Sequence, residues 1–529
     1  MFKAKSSELS AEPYLKIIRH EARPKSWDLL GYNSRNELEL TGTGLSFLEA
    51  VRRYGSPLEV RDTTIVERRC REWKKLGREA AQKTNYDPEK LEYAYASKAR
   101  ERAEVVLAAH KSGFGIETSG SQNLEDIKWL AQHNLIKLKG LRLIHNGFKP
   151  EPHTESDAQE GVSQYKPGRI DFVDIPHQVA ATADVPYAEY INLLRSLGAD
   201  SIVVLDSGEL NEFAQPGEVP TMEVGIRLKW GKFTSDTEAA TYANRFGMIW
   251  EEALSTAETL EKISHLKLTM LHTMVSAAED IPVEKFVASL MLAADKYFLL
   301  KQKYPQMKYL NIGGGVPPLS ENYDHRIFLE KLLTGIKSKA QSLALDPPSI
   351  VFENGSLVAA DSSYHVFEIR QWKSNSSDEN GSRVIWAILN GSIMVTLPDT
   401  IVLGKEFDFL AANNAGMPAL RVLLGGATCD GDDHYPRDLR KKVVVPYSQA
   451  SQFLVACRIG AYQKQISGER GGHHSAQKEP AELILAAGVD GRIKTRLVPR
   501  QTRDDIRTIF GYNDGMLPLL ENFKLRHNH

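Results

Sequence analysis

A thiol and three carboxylates stand together in Gly426-Ala427-Thr428-Cys429-Asp430-Gly431-Asp432-Asp433. Glycines on both sides mark a tight turn. In such a turn Cys429 suits proton transfer, and Asp430 and Asp433 suit capture of a cationic substrate end. An ordinary acidic, solvated loop has the same composition, so the turn needs a second feature to give it meaning. That feature is a series of polar residues at the ends of short apolar runs: Lys98, Glu117, His145, Asp206, Arg227, His272, Gly313, Gly314, Gly315 and Glu353. A lysine forms a Schiff base with a carbonyl compound when a desolvated site lowers its pKa. Consecutive glycines let backbone N–H groups approach a phosphate. A buried carboxylate can keep a pyridine nitrogen protonated, which makes the ring an electron sink. Together these parts describe a pyridoxal 5'-phosphate site.

The elements that would position them repeat through the middle of the chain. β-type runs are expected at 93–98, 113–119, 140–146, 201–207, 223–229, 267–274, 308–313 and 349–354. Most are separated by segments with helical periodicity, at 123–133, 187–197, 239–263, 283–304 and 325–343. Apolar strands alternating with amphipathic helices predict an α/β fold, a (β/α)8 barrel over residues 61–360. Active groups of such barrels lie at the C-terminal strand ends, where the polar residues named above stand. A Pro- and Gly-rich stretch at 149–187 reads as a long loop. Beyond residue 360, strands at 363–373, 383–393, 420–425, 441–446 and 481–487 follow one another through turns. They predict a mostly antiparallel β domain, formed by residues 1–60 and 361–529, that carries the Cys-Asp turn. The polar segment 374–382 reads as a flexible loop.

Bulk composition narrows the partners. Lys plus Arg number 66 against 68 Asp plus Glu, so neither nucleic acid nor a polyelectrolyte is indicated. No apolar run is long enough to span a bilayer, and the start MFKAKSSELSAEP lacks a signal-type apolar core. Cys70, Cys429 and Cys457 are odd in number and have no CxxC spacing. This fits a reducing, cytoplasmic setting and argues against a cysteine zinc site. Cys70 falls on a helix expected at 63–77, as a packing residue. His473-His474 reads as part of a solvated loop, Asp432 as a turn cap, and 500–507 as a charged helical face.

The order of motifs resembles the fold-type III pyridoxal-phosphate decarboxylases, the family of ornithine, arginine and diaminopimelate decarboxylases. The resemblance covers about Pro57 to Leu485. YASKAR (95–100) is similar to the family's YAVKAN, GFGIETSGSQNL (113–124) to its G-x-G-x-E/D segment, and LNIGGG (310–315) to LDIGGG. NGFK (146–149) and RFG (245–247) resemble NGYK and KFG of biosynthetic arginine decarboxylases. ENGS (353–356) stands at E-x-G-R, GATCDGDD at GPTCDGxD, and GAY (460–462) at GAY. The resemblance implies an alanine-racemase-like barrel with Lys98 carrying pyridoxal phosphate. Glu353 would face the pyridine nitrogen, Arg227 would lie near the ring, and Gly313–Gly315, Ser356 and Tyr462 would surround the phosphate. It also implies a homodimer with shared active sites, in which Cys429 returns a proton and Asp430 binds the distal cation of a basic amino acid.

Two positions depart from the family pattern. The H-x-H-x-G-S segment appears as His272-Thr273-Met274-Val275-Ser276-Ala277, which puts Met274 at the ring-stacking histidine. His272 can substitute only if the strand shifts register. Ser356 replaces an arginine and removes a bidentate cation from the phosphate surroundings, for which Arg100 is a partial replacement. Two functions follow: a decarboxylase of an arginine-like or ornithine-like amino acid, in polyamine-type metabolism, or a diverged homologue acting through dimerisation.

Overall fold

The computed structural model describes residues 2–20, 27–147, 196, 198, 200–213, 221–229, 245–275, 281–377 and 381–521. The loop expected at 149–187 lies outside the described residues. So do Phe148, Lys149, Ser276 and Ala277, and the helix expected at 187–197 apart from Ser196. The chain divides into two compact units: residues 1–69, 318–322 and 356–529, and residues 70–317 with 323–355. Among the described residues no helix is long and apolar enough to cross a membrane.

The first unit is a sheet unit. Three short strands, β1 (Leu30–Tyr32), β2 (Leu38–Leu40) and β3 (Leu45–Ser46), pair antiparallel. Next comes β4 (Leu58–Asp62), buried on both faces. Its alternation sends Leu58 and Val60 into the main hydrophobic core and Glu59 and Arg61 to the opposite side. The helix Thr63–Thr84 that follows is longer than the 63–77 expected, and it buries Cys70.

The second unit contains the barrel. Its strands are β5 (Leu91–Ala96), β6 (Gly115–Thr118), β7 (Arg142–His145), β8 (Asp200–Leu205), β9 (Met222–Leu228), β10 (Leu266–Thr273), β11 (Tyr309–Asn311) and β12 (Ser349–Asn354). They close in sequence order, each parallel to the next, with β12 returning to β5. All eight expected runs are therefore barrel strands. Strands buried on both faces need continuous apolar character. Ala94, Ile144, Ile202, Val204, Met270, Tyr309 and Val351 supply it as one buried cluster drawn from six of the strands. Outside the sheet, Tyr93 stacks on Phe352 and Phe114, and Trp73 meets Phe352 edge-on. Gly77 permits this packing, because a Cβ there would stand 2.1 Å from the Tyr93 hydroxyl.

The chain then returns to the sheet unit with β13 (Ser363–Ser377), β14 (Arg383–Leu389), β15 (Phe409–Ala411), β16 (Ala419–Gly425), β17 (His434–Tyr435), β18 (Val443–Pro446), β19 (Gln452–Ala456), β20 (Ala481–Ala487) and β21 (Ile493–Val498). The main sheet runs β17-β16-β14-β13-β4-β20-β21, and most pairs are antiparallel. The N-terminal strand β4 sits inside it, between β13 and β20. The segment 374–382 is not all loop: β13 continues through Ser377, with Ser376 opposite Val384 and Ser377 opposite Arg383. Pairing with β14 overrides the weak strand propensity of Ser and Asn. The run expected at 383–393 ends at Leu389, because Ser392 caps the short helix Ile393–Thr396.

Candidate functional site

The barrel unit collects Lys98, Glu117, Arg227, His272 and Glu353 within electrostatic reach of one another. Lys98 lies just past β5, in the 3-10 turn Ser97–Ala99, and its side chain is exposed. Glu353 ends β12 at 3% exposure, where its Oε1 accepts from Asn311 Nδ2 at 2.7 Å. His272 Nε2 stands 3.5 Å from the same oxygen and 2.9 Å from Asn146 Nδ2. Burial alone would raise the Glu353 carboxyl. The His272 contact, the Lys98 charge and the Asn311 hydrogen bond outweigh it and hold the group below the usual carboxylate range. Glu117, fully buried at β6, moves the other way: burial and the nearby Glu353 charge raise it to about 7, against Lys98, Ser119 and Arg227. Two carboxylates in one site are thus driven apart, one ionised and one protonated near neutrality. Burial also pushes His272 below its ordinary value, against the pull of Glu353.

The register of β10 explains how His272 enters this set. A bulge between Leu268 and Met270 shifts the strand against β9, and beyond it His272 stands opposite Arg227 and Asn311. Met274 follows the strand and lies on the glycine loop, where its Sδ accepts the Gly314 N–H at 3.2 Å. Asn311 Oδ1 accepts the Gly313 N–H. Gly313 has φ +67, and a Cβ on it would meet Thr273 O at 2.7 Å; one on Gly314 would meet Glu353 O at 2.8 Å. The loop therefore packs against β10 and β12 in a way that side chains would prevent. At the rim, the Arg227 guanidinium lies over the Phe246 ring, 4.6 Å from its centroid, and 4.0 Å from Asp206 Oδ2. Asp206 also accepts the Gly247 N–H at 2.6 Å. His145 is turned to Thr118 by a 2.8 Å hydrogen bond.

Cys429, Asp430, Asp433, Ser356 and Tyr462 belong to the sheet unit. Asp433 is not a free acid lining a pocket. It is 4% exposed, and one oxygen accepts from Ser392 Oγ and the Ile393 and Met394 N–H groups, while the other accepts from Thr428 N–H and Oγ1. Five donors make it the anchor of the turn, and Gly426 is required because a Cβ there would overlap its carboxylate. Asp432 pairs with Arg437 at 2.7 Å. The turn cap is Asp430, whose Oδ1 accepts the Asp432 N–H at 2.8 Å. Its Oδ2 meets His474 Nε2 at 3.2 Å. Cys429 is exposed at the tip. His473 is buried, with Nδ1 3.0 Å from Gln477 O, so His473-His474 is not a solvated pair. Tyr462 is half-buried at φ +66, ψ −39, a strained conformation for a residue with a Cβ. Ser356 opens the short helix Ser356–Ala359.

Asn146, Asn311 and His474 contact the candidate site groups, yet their chemistry alone gave no signal. Asn311 had a positional clue, two residues before the glycines, and Asn146 stands just past a strand end.

Residues 170–360 match the model of the pyridoxal-dependent decarboxylase pyridoxal-binding domain. Biosynthetic arginine decarboxylases of Prochlorococcus marinus and Thermosynechococcus vestitus are 25% and 27% identical to it over 209 residues, 35% of this chain. The match spans 31% and 32% of those relatives, about a third of their length. Among solved structures, the biosynthetic arginine decarboxylase of Campylobacter jejuni superposes with TM-score 0.70 at 15% identity, over 98% of this chain and 93% of that one. Diaminopimelate decarboxylase from M. jannaschi gives 0.68 at 14%, over 91% and 97%. These structures share the fold. Lys98, Glu117 and the Cys429 turn lie outside the matched 170–360.

The barrel unit suits pyridoxal phosphate on its own geometry. Ser97 Oγ, Glu117 Oε2, His272 Nδ1 and Thr273 Oγ1 are buried without hydrogen-bond partners among the described residues. Buried polar atoms are nearly always satisfied, so such a cluster at strand ends marks room for a polar ligand. An ionised Glu353, an accessible lysine and a glycine loop complete the donor set that this group requires.

Proposed function

We propose that the chain is a pyridoxal-phosphate-dependent decarboxylase of a basic amino acid, arginine-like or ornithine-like, in polyamine-type metabolism. The observation that carries this reading is Glu353 near the end of β12, buried at 3% exposure and held by Asn311 and His272, in the same closed barrel that carries Lys98 and the Gly313–Gly315 loop. When bound, the cofactor supplies an electron sink for the pair left by departing CO2. Lys98 would hold the cofactor. Glu353 would serve the ring nitrogen as a carboxylate, with Asn311 and His272 fixing its orientation. Arg227, positioned by Phe246 and Asp206, lies at the rim. Gly313, Gly314 and Gly315 would serve the phosphate. Glu117, protonated near neutrality, can hold or pass a proton within the barrel.

The Cys429 turn completes the site from the partner subunit of a cytoplasmic homodimer. Cys429 protonates the substrate carbon, and Asp430 pairs with the distal cation once His474 gives way. Support for a cationic substrate comes from Asp430, which keeps one oxygen on the turn and sets the other against the cationic-capable ring of His474, 3.2 Å from its Nε2.

Release of CO2 from arginine, ornithine, lysine and diaminopimelate tests the substrate. One of the first two is expected to lead, and Cys429→Ala is expected to reduce turnover far more than cofactor binding. Equal loss of both would contradict the role of Cys429. A second reading, a homologue without catalysis, is favoured by the Met274 sulfur on the Gly314 amide and by Ser356 in place of an arginine. Wild-type protein with no CO2 release from any of the four, despite bound cofactor, would select it.

A further inference from the structure

The sheet unit contains a cavity of about 320 Å³ whose lining includes His365, Asn390, Lys464, Lys478, Glu479 and Arg500. His365 is carried on β13, opposite Glu59 of β4 and Ala456 of β19. Its ring is 2% exposed, and neither Nδ1 nor Nε2 has a hydrogen-bond partner among the described residues. A buried imidazole with both nitrogens unsatisfied is rare, and it points to a group that the cavity takes in. Phe367 packs against the ring, 4.3 Å between centroids, which orients it without satisfying either nitrogen. Burial drives His365 down to about 3 despite the pull of Glu59, so the ring is neutral and offers one N–H and one lone pair.

The cations around the cavity divide into two kinds. Lys464 is neutralised by Glu479, with Glu59 at 3.7 Å and Glu482 at 3.8 Å. Arg500 donates to Pro57 O at 3.1 Å, and among the described residues neither it nor Lys478 is ion-paired with a carboxylate. Two unneutralised cations on the lining, with a hydrogen-bonding ring at its buried wall, make an electrostatic setting for an oxyanion.

We propose that this cavity binds a small oxyanion, a carboxylate or a phosphate, held by Arg500 and Lys478 and hydrogen-bonded by the N–H of His365. Every residue named in the site belongs to the sheet unit.

Ring NMR of histidine-labelled full-length protein tests this directly, with the His365 signal assigned by its loss in His365→Phe. Inorganic phosphate and acetate are titrated separately at constant ionic strength set with chloride. A saturable shift of the His365 signal is expected at millimolar anion or below, and Arg500→Gln and Lys478→Gln should each weaken it about tenfold. Saturation by phosphate alone assigns a phosphate ligand, and saturation by acetate alone a carboxylate. Both variants change exposed side chains, and unchanged circular dichroism verifies their fold. Absence of a saturable shift with either anion would overturn the proposal and leave a water-filled void. So would a shift equal in wild type and both variants.

Discussion

Charge is buried in two places in this molecule, and the two are built in opposite ways. In the sheet unit, Arg61 lies 3.1 Å from Glu59 and 3.0 Å from Glu482, while Lys464 faces Glu479. Nearby, Arg69 meets Asp361 at 2.7 Å. Each cation there has a carboxylate, which is how buried charge is tolerated. In the barrel unit Glu353 is stabilised but Glu117 is held near neutrality, and polar atoms of Ser97, Glu117, His272 and Thr273 stay unsatisfied among the described residues. Burial of charge therefore does not by itself mark a site; the clustering of such polar atoms at the barrel's strand ends marks this one. His365 is informative for the same reason, because it borders the paired layer without sharing its hydrogen bonds.

The contrast breaks first where pairing is complete. Arg61→Met leaves Glu59 and Glu482 buried with only the more distant Lys464, at 3.7 and 3.8 Å, and should cost up to about 3–5 kcal/mol in denaturant unfolding. A loss near zero would mean that the layer is not closed by Arg61. The barrel set predicts a pH effect instead. Glu117 has its carboxyl raised from 4.5 to about 7, so the folded state binds a proton that the unfolded chain has released. Its contribution to stability is present below the unfolded value and is lost as pH rises through the folded one, by at most roughly 3 kcal/mol. Glu117→Gln should flatten that decline between pH 4.5 and about 7 in unfolding measurements; an unchanged slope would place the titration elsewhere. The smallest effect concerns Met274. Met274→Ala frees the Gly314 N–H from sulfur and should tighten pyridoxal phosphate binding about three-fold, read by fluorescence titration. Weaker binding would instead make Met274 a supporting contact for the cofactor.

The barrel was legible because its eight runs are mostly buried and apolar, with the candidate site residues near their C-terminal ends. Lys98, Arg227, His272, the glycines and Glu353 could be named from those ends together with the family's motifs. What was not legible depends on three-dimensional pairing. The bulge in β10 that brings His272 to Glu353 has no local marker, and Asn146 and Asn311 look like ordinary polar residues until their partners are known. The extension of β13 through Ser377 arises from β14, not from serine or asparagine. In the Cys429 turn the acids were visible but their division of labour was not: Asp433 anchors, Asp430 caps, and His474 arrives from a segment forty residues away that looked solvated.

The most direct test of the central claim is the location of pyridoxal phosphate on the chain. Purified protein is incubated with the cofactor, its visible band is recorded, borohydride is added, and the digest is analysed by mass spectrometry. A band that borohydride bleaches, with the label on the peptide containing Lys98 and both lost in Lys98→Ala, is the predicted result. No band at saturating cofactor, or a label on another lysine that survives Lys98→Ala, would contradict the account.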